Sequence, residues 1–256
     1  MYYFLATLAG IFVGIGSGLL GMGGGSILVP VLLFIFGLSI KEAIGTSLCI
    51  IVLTAISAII VHWKEKQVHL KLAVVMTLTG VIGAQLGSYL NNITPDNIIK
   101  LIFTIVAIIF GFKMWIGGNN EKKGISTTNN TPTSSIKFNK SLALALGLIA
   151  GTASGLLGIG GALIMVPVMY IFLHIPMNIC VGTSLFIVFF NSLSGAFGYI
   201  ARGDTNLKLA ILIAVGSIAA APFGAKLSVR ISQEKLRKIF AVVLLLAGIA
   251  MLFKKS

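Results

Sequence analysis

The chain has 256 residues, of which 57% are apolar and 10% are charged, and its formal net charge is +13. Soluble domains carry about 25% charged residues to cover a water-facing surface. The composition therefore excludes a soluble enzyme, a secreted disulfide scaffold and a disordered chain. A mean hydropathy of +1.05 agrees with this and predicts a polytopic membrane protein.

Long charge-free runs locate the predicted helices. A helical crossing needs about 20 residues, so the uncharged runs 1–40 and 141–201 are too long for one crossing each, and both must turn inside or beside the membrane. Continuously apolar runs do not alternate as barrel strands do, which favours an all-α fold. The sequence predicts ten helical segments near residues 3–19, 26–38, 43–63, 70–90, 97–116, 141–156, 163–174, 179–200, 207–227 and 236–253.

An internal repeat divides the chain into two homologous halves. Residues 10–48 and 147–185 are identical at 17 of 39 positions, at an offset of 137. We predict a first membrane repeat over 1–116, a polar linker over 117–140 and a second membrane repeat over 141–256. Five segments per half would insert the halves in opposite orientations, as inverted-repeat transporters do. If the Gly-broken segments re-enter instead, eight crossings and parallel repeats would result.

The basic residues favour ten crossings over eight. Ten crossings place 13 Lys and Arg residues on one side and 6 on the other, whereas eight crossings give 12 and 7. Because cytoplasmic loops are enriched in Lys and Arg, the ten-crossing arrangement predicts both termini outside. The positive charge lies in loops between apolar runs, so we expect a lipid bilayer and no nucleic acid as partner.

Two glycine clusters interrupt the apolar runs at equivalent positions of the repeat. Glycine inside a helix costs about 1 kcal/mol relative to Ala, so several together predict a broken helix. Such a break is tolerated at membrane depth only inside protein or beside a wet cavity, and the next half-helix then presents free N–H groups and its positive end to a small anion. Close helix packing is the alternative reading. The predicted substrate-binding residues here are Gly21, Gly23, Gly24, Gly25, Ser26, Gly158, Gly160, Gly161 and Ala162.

The repeated stretch GTSL supplies the second group of candidates. Hydroxyls at the start of a helix can donate to an oxyanion, or they can cap the helix or bond back to it. We predict a substrate contact for Thr46, Ser47, Thr183 and Ser184. Weaker pathway candidates, which small-residue packing explains about as well, are Ser57, Gln85, Asn191 and Ser194.

The placement of charge argues against enzymes, metal sites and proton-relay pumps. All six acidic residues fall at predicted loops or helix ends, and intramembrane carboxylates are the usual proton relays. Ser17 and Ser154 have no histidine partner in mid-membrane that would make a protease. We therefore expect no catalytic residue, no metal and no cofactor, and a small anion as substrate.

The motifs SGLLGMGGGSILVPVL and GTSL, repeated as SGLLGIGGALIMVPVM and GTSL, resemble the TauE/SafE family of sulfite exporters. The likeness covers nearly the whole chain and both halves. It implies a multi-pass carrier of sulfite, thiosulfate or organosulfonates in a prokaryotic plasma membrane, with the Gly clusters and GTSL stretches at the transport path. Gly25 and Gln85 are replaced by Ala162 and Pro222 in the second half, so the two half-sites are expected to differ.

The predicted function is secondary transport of a small sulfur-containing anion. The substrate would sit between the two breaks, and rocking of the halves would alternate access. An anion channel and a non-transporting scaffold for a partner enzyme are the alternatives. The sequence leaves the oligomeric state open.

Overall fold

The fold is all-helical over the residues that this computed structural model describes, 2–117 and 138–252. Seven of the helices in these ranges are long and apolar enough to cross a membrane. The prediction of ten helices without strands is confirmed, and most of the predicted linker lies outside the described residues. The helices are α1 Tyr2–Leu20, α2 Gly25–Phe34, α3 Ile40–Lys64, α4 Leu70–Ile93, α5 Asp96–Ile116, α6 Lys140–Leu157, α7 Ala162–Ile171, α8 Met177–Arg202, α9 Leu207–Arg230 and α10 Gln233–Leu252.

Helices α2 and α7 are half-helices. Each has 10 residues, which is about 15 Å of helix and half of the roughly 30 Å hydrocarbon layer. Both end three or four residues before the predicted ends at 38 and 174. The reason is a residue with positive φ after each helix, Gly37 at 67° and its repeat equivalent His174 at 53°. The backbone turns there instead of continuing.

The tightest packing joins helices from different halves of the chain. Gly10 and Gly18 of α1 lie against Ile213 and Ala221 of α9, so these two helices run parallel. Helix α6 packs on α4 in the same way, because their residues are the repeat equivalents of those in α1 and α9. The halves are therefore interleaved, with backbone against backbone at both cross-half contacts.

Helices α3 and α8 cross the centre of the bundle in opposite directions. The start of α3, at Thr46, bonds to the start of α9 at Asn206, so α3 and α9 are parallel. The start of α8, at Thr183, instead bonds to His69 just beyond the end of α3. Helices α1, α3 and α9 thus run one way and α4, α6 and α8 the other. Repeat equivalents point in opposite directions, which is consistent with the predicted inverted repeat.

Helix direction also determines how often the chain traverses the bundle. Because α1 and α3 are parallel, the segment 21–34 must return across the bundle between them, although α2 covers only half of that path. The same holds for 158–171 between α6 and α8. Each half therefore makes five traverses, which agrees with the ten-crossing arrangement and not with a re-entrant pair.

Gly151→Ala tests the cross-half packing. A Cβ at Gly151 would overlap the carbonyl of Gly80 on α4, which cannot move without shifting the helix. We expect a loss of about 1–3 kcal/mol in unfolding free energy, measured as a lower thermal midpoint in detergent. Gly195→Ala is the control, because the only tight contact of its Cβ would be with the Leu48 Cδ1 methyl at 3.2 Å, and its other neighbours would lie at ordinary distances of 3.7 and 4.0 Å. Equal midpoints for the two variants would contradict the packing.

Candidate functional site

Each half-helix begins at a break made of left-handed glycines. In the first half Gly21, Gly23 and Gly24 have φ of 70°, 61° and 86°, a region that residues with a Cβ rarely adopt. Gly158, Gly160 and Gly161 repeat these values at 69°, 65° and 82°. The predicted helix breaks are confirmed as breaks in the backbone. Their role in binding stays a prediction.

The positive ends of α2 and α7 have no side-chain cap. Gly24 and Gly161 are the N-cap residues, and neither carries a side chain that could accept from the first turn. The first N–H groups of a helix have no acceptor within the helix, but part of the first turn is paired here. Gly25 N–H donates to Met22 O at 3.4 Å, and the third N–H of each half-helix donates to its own N-cap carbonyl at 3.0 Å. The positive helix ends face the breaks, and only first-turn N–H groups other than these could bind a ligand. The Ser26 hydroxyl lies nearby but donates to the Met22 sulfur, at 3.3 Å.

The two breaks meet at the centre of the bundle. A Cβ on Gly25 would come within 2.5 Å of Ile159 Cα, so the two backbones touch. Gly23 and Gly160 both lie against Val188 of α8 and Ile51 of α3. The structure thus brings together the two glycine clusters that the sequence separates by 137 positions, at mid-length of the two central helices.

Three buried serines beside the breaks have hydroxyls without a hydrogen-bond partner. Ser17 and Ser154 are repeat equivalents whose Cβ atoms lie 3.6 and 3.2 Å from the Cβ positions of Gly24 and Gly161. Ser192 Oγ lies 2.8 Å from the Cβ position of Gly160. All three are 0% exposed and unpaired. Since buried hydroxyls are ordinarily paired, these three are candidate ligand groups.

Sequence reasoning did not select these serines. Ser17 and Ser154 were considered only as protease nucleophiles, a role that the sequence argues against. Their repeated position one turn before each break was nevertheless visible in the sequence. Ser192 had no such signal, because its repeat equivalent is Ala55. Only the packing of α8 against the second break reveals it.

The GTSL hydroxyls have protein partners from the opposite half. Thr46 Oγ1 accepts from Asn206 N–H at 2.9 Å, and Thr183 Oγ1 accepts from His69 N–H at 3.0 Å. Ser47 Oγ lies 2.5 Å from Gly158 O, and Ser184 Oγ lies 2.8 Å from Gly21 O. Each hydroxyl also lies 2.8 Å from a carbonyl one turn back in its own helix, so its single proton is shared between the break and the helix. These serines fasten the first residue of each break to the other half. The substrate contact predicted for all four stays a prediction.

The weaker pathway candidates lie on the central helices and α4. Ser57 Oγ donates to the Thr54 carbonyl of its own helix, at 2.9 Å. Gln85 Nε2 donates to Ser194 O at 2.5 Å and Ser194 Oγ to Val81 O at 2.9 Å, which joins α4 to α8. Asn191 differs from these three residues, since neither atom of its buried amide has a partner.

Asn191 and Gly80 occupy the place of a bonded pair in the other half. Their repeat equivalents, Thr54 and Ser217, share a hydroxyl–hydroxyl bond of 2.6 Å between α3 and α9. In the second half the longer Asn191 side chain fills the space above Gly80, whose Cβ position is 2.6 Å from Asn191 Oδ1. The two halves therefore differ at this pair, and the inequality predicted at Gly25 and Gln85 stays a prediction.

The chain is similar to known proteins over nearly its whole length. The family model for "Sulfite exporter TauE/SafE" matches residues 6–251. "Probable membrane transporter protein YunE" of Bacillus subtilis is 26% identical, over 99% of this chain and 98% of its own length. A "Probable membrane transporter protein" of Xylella fastidiosa is 29% identical over 96% and 93%, and MJ0441 of Methanocaldococcus jannaschii is 26% identical over 97% and 94%. No solved structure matches the chain.

The family match covers both repeats, both breaks and both GTSL stretches, and the relatives align over nearly their full lengths. Together with seven helices suited to cross a bilayer, this makes the chain a multi-pass membrane protein that belongs to the sulfite exporter TauE/SafE family.

Proposed function

We propose that this protein is a secondary transporter that carries a small sulfur oxyanion across a prokaryotic plasma membrane. The observation that carries the proposal is the meeting of two uncapped half-helix N-termini beside three unpartnered serine hydroxyls. Helix N-termini bind anions through free N–H groups and the positive end of the dipole. Transporters of several folds hold substrate in this way at the interface of two repeats.

The basic residues support an orientation. Ten of the fourteen Lys and Arg residues in the described ranges lie on the side where α3, α5 and α9 end. By the positive-inside rule this side faces the cytoplasm and both termini lie outside. An inside-negative potential then drives an anion outward, at about 2.3 kcal/mol per charge for each 100 mV, which favours export.

The interleaved packing indicates which units move. Because α1 is bound to α9 and α4 to α6 through glycine contacts between backbones, the sequence halves cannot separate as rigid bodies. We infer that the cross-half pairs α1–α9 and α4–α6 rock against each other, with α3 and α8 between them. This replaces the rocking of sequence halves expected from the repeat alone.

Sulfite flux into liposomes that contain the purified protein is the direct test. We expect uptake of sulfite that saturates and that requires the protein. Inhibition of this uptake by thiosulfate or by sulfate would indicate that the inhibiting anion also enters the site. Current that does not saturate would indicate a channel. If folded protein carries no sulfur oxyanion at all, the proposal is overturned. The alternative of a non-transporting scaffold for a partner enzyme would then be favoured.

Ser17→Ala, Ser154→Ala and Ser192→Ala test the site itself. A hydrogen bond to a charged group contributes about 1.5–3 kcal/mol, so each variant should lower flux about tenfold or more. Their thermal midpoints should not fall, because these hydroxyls bond to no protein group. Ser47→Ala and Ser184→Ala are matched controls, which should lose about 1–3 kcal/mol of stability through an unpaired carbonyl. A midpoint loss without a flux loss at the first three serines would contradict the site.

A further inference from the structure

We propose that the site takes monovalent oxyanions, hydrogensulfite or an alkylsulfonate, and rejects divalent ones such as sulfate and thiosulfate. The inference rests on the proposed function, because it assumes that substrate binds where the two breaks meet. It goes further by naming the charge of the transported species. Charge decides which members of the sulfur oxyanion class the protein carries and how transport responds to pH and voltage.

The positive charge available at the breaks is about one unit. A helix N-terminus is equivalent to roughly +0.5 charge, and two of them, at Gly24 and Gly161, begin at the two breaks that meet at the centre of the bundle. Gly25, the first residue of α2, touches Ile159, which lies two residues before the N-cap of α7, so the two helix starts are close to each other. The three unpartnered serines add neutral donors, which solvate an anion without adding charge.

No side-chain cation reinforces these helix ends in the described part of the chain. The runs 1–40, 43–63 and 141–201, which supply both breaks and all but the ends of both central helices, contain no Lys or Arg. The buried His62 of α3 uses both ring nitrogens on protein groups, Gln67 Oε1 at 2.8 Å and Gly18 O at 3.1 Å. The buried Arg237 donates to carbonyls of Met114 and Trp115, at the end of α5. Arg202 pairs with Asp204 at 3.1 Å, where α8 ends.

A charge buried without compensation is expensive, and the cost rises steeply with the second charge of a dianion. The two helix ends match a monoanion and leave a dianion with one unit uncompensated. Among the described residues around the breaks there is also no carboxyl group that could give a proton to a bound dianion. The oxyanion itself must therefore lose its second charge by protonation in water before it enters.

This assignment makes transport carry one negative charge per substrate. No coupling ion is required, because an inside-negative potential alone expels a monoanion. At equilibrium the concentration ratio across the membrane should then change tenfold for about 59 mV, the value for one charge. A divalent substrate would need half that voltage.

The test uses the native protein in liposomes, with protein-free liposomes measured in parallel. Three probes are compared: methanesulfonate, which has one charge at every pH near neutrality; thiosulfate, which has two; and sulfite, which changes from two to one as the pH falls through neutrality. Valinomycin and potassium gradients set the membrane potential. Methanesulfonate also controls for any effect of pH on the protein.

We expect sulfite flux, divided by methanesulfonate flux, to follow the hydrogensulfite fraction and to rise as the pH falls. Thiosulfate flux should be lower than sulfite flux by a factor of about ten or more. The voltage dependence of sulfite flux should correspond to the movement of one charge. Thiosulfate flux equal to that of sulfite, or sulfite flux that rises with pH, would overturn the valence assignment and leave the proposed function standing. If none of the three anions moves, the proposed function itself fails.

Discussion

Replacing Gly161 with Ala is expected to abolish sulfite flux. Gly161 is the N-cap of α7 with φ of 82°, and its Cβ would lie 2.9 Å from Ala150 O and 3.2 Å from Ser154 Cβ. The new methyl group would push α7 away from Ser154 and move the positive helix end out of the break. Flux depends on the positions of the hydrogen-bond donors at the break, which are the start of α7 and the Ser154 hydroxyl. When both are displaced, flux should fall by about a hundredfold or more.

Gly203→Ala is the matched control for this change. Gly203 has a similar φ of 77°, but nothing lies within 4 Å of its Cβ position at the end of α8. Both variants carry the backbone cost of about 1–2 kcal/mol for a left-handed residue with a side chain. Only Gly161→Ala also disturbs the break. Flux that falls equally in both variants, at equal amounts of folded protein, would contradict a special role for Gly161.

The breaks could be predicted from the sequence because their cause is local. A dense glycine cluster cannot sustain a helix, and its duplication at a fixed offset showed that both halves share the break. The early end of α7 was missed because the residue that turns the chain is His174, whereas the early end of α2 was missed although Gly37 is visible in the sequence, because the predicted segment ran past this single glycine. A histidine with φ of 53° gives no sequence signal, unlike Gly37 at the equivalent position.

The roles of the hydroxyls could not be predicted, because they depend on partners far away in the chain. The partner of Ser47 is Gly158, 111 positions later, and the repeat pattern gives no indication of this contact. Ser17 looks in sequence like any small residue of a packed helix, and only the structure shows that its hydroxyl is unpaired. The sequence thus predicted the two breaks beside which the candidate site lies, and it left open which side chains line them.

The packing of helices from one half against helices of the other half also could not be predicted from the sequence. A repeat with an odd number of segments predicts opposite orientations, but it does not show which helices pack together. The glycines of α1 fit against α9 and those of α6 against α4 because each pair brings two small-residue faces together. Small residues at such faces let helix backbones approach closely, and the choice of partner depends on the assembled bundle.

The pair Asn191–Gly80 differs from its repeat equivalent Thr54–Ser217 in having no hydrogen bond. A double-mutant cycle can test whether the bonded pair of the first half can replace it. Gly80→Ser alone should be destabilising, because its Cβ would lie 2.6 Å from the buried Asn191 amide. Asn191→Thr alone removes that amide and leaves unfilled space above Gly80. Together the two changes reproduce the pair whose hydroxyls lie 2.6 Å apart in the first half. We expect the double variant to be more stable than either single variant, with a coupling free energy of about 1–3 kcal/mol.

The same cycle separates stability from transport at Asn191. A buried amide without partners costs about 1–3 kcal/mol, so the protein retains Asn191 at the expense of stability, unlike Thr54 at the equivalent position. If Asn191 contacts substrate in the transport path, as the sequence predicts, the double variant should be as stable as the native protein or more stable, and should carry sulfite about tenfold more slowly. Thermal midpoints and liposome flux measured on the same preparations test both quantities. A double variant with native flux would assign Asn191 to helix packing alone, and the inequality of the half-sites would then rest on Ser192 and its equivalent Ala55.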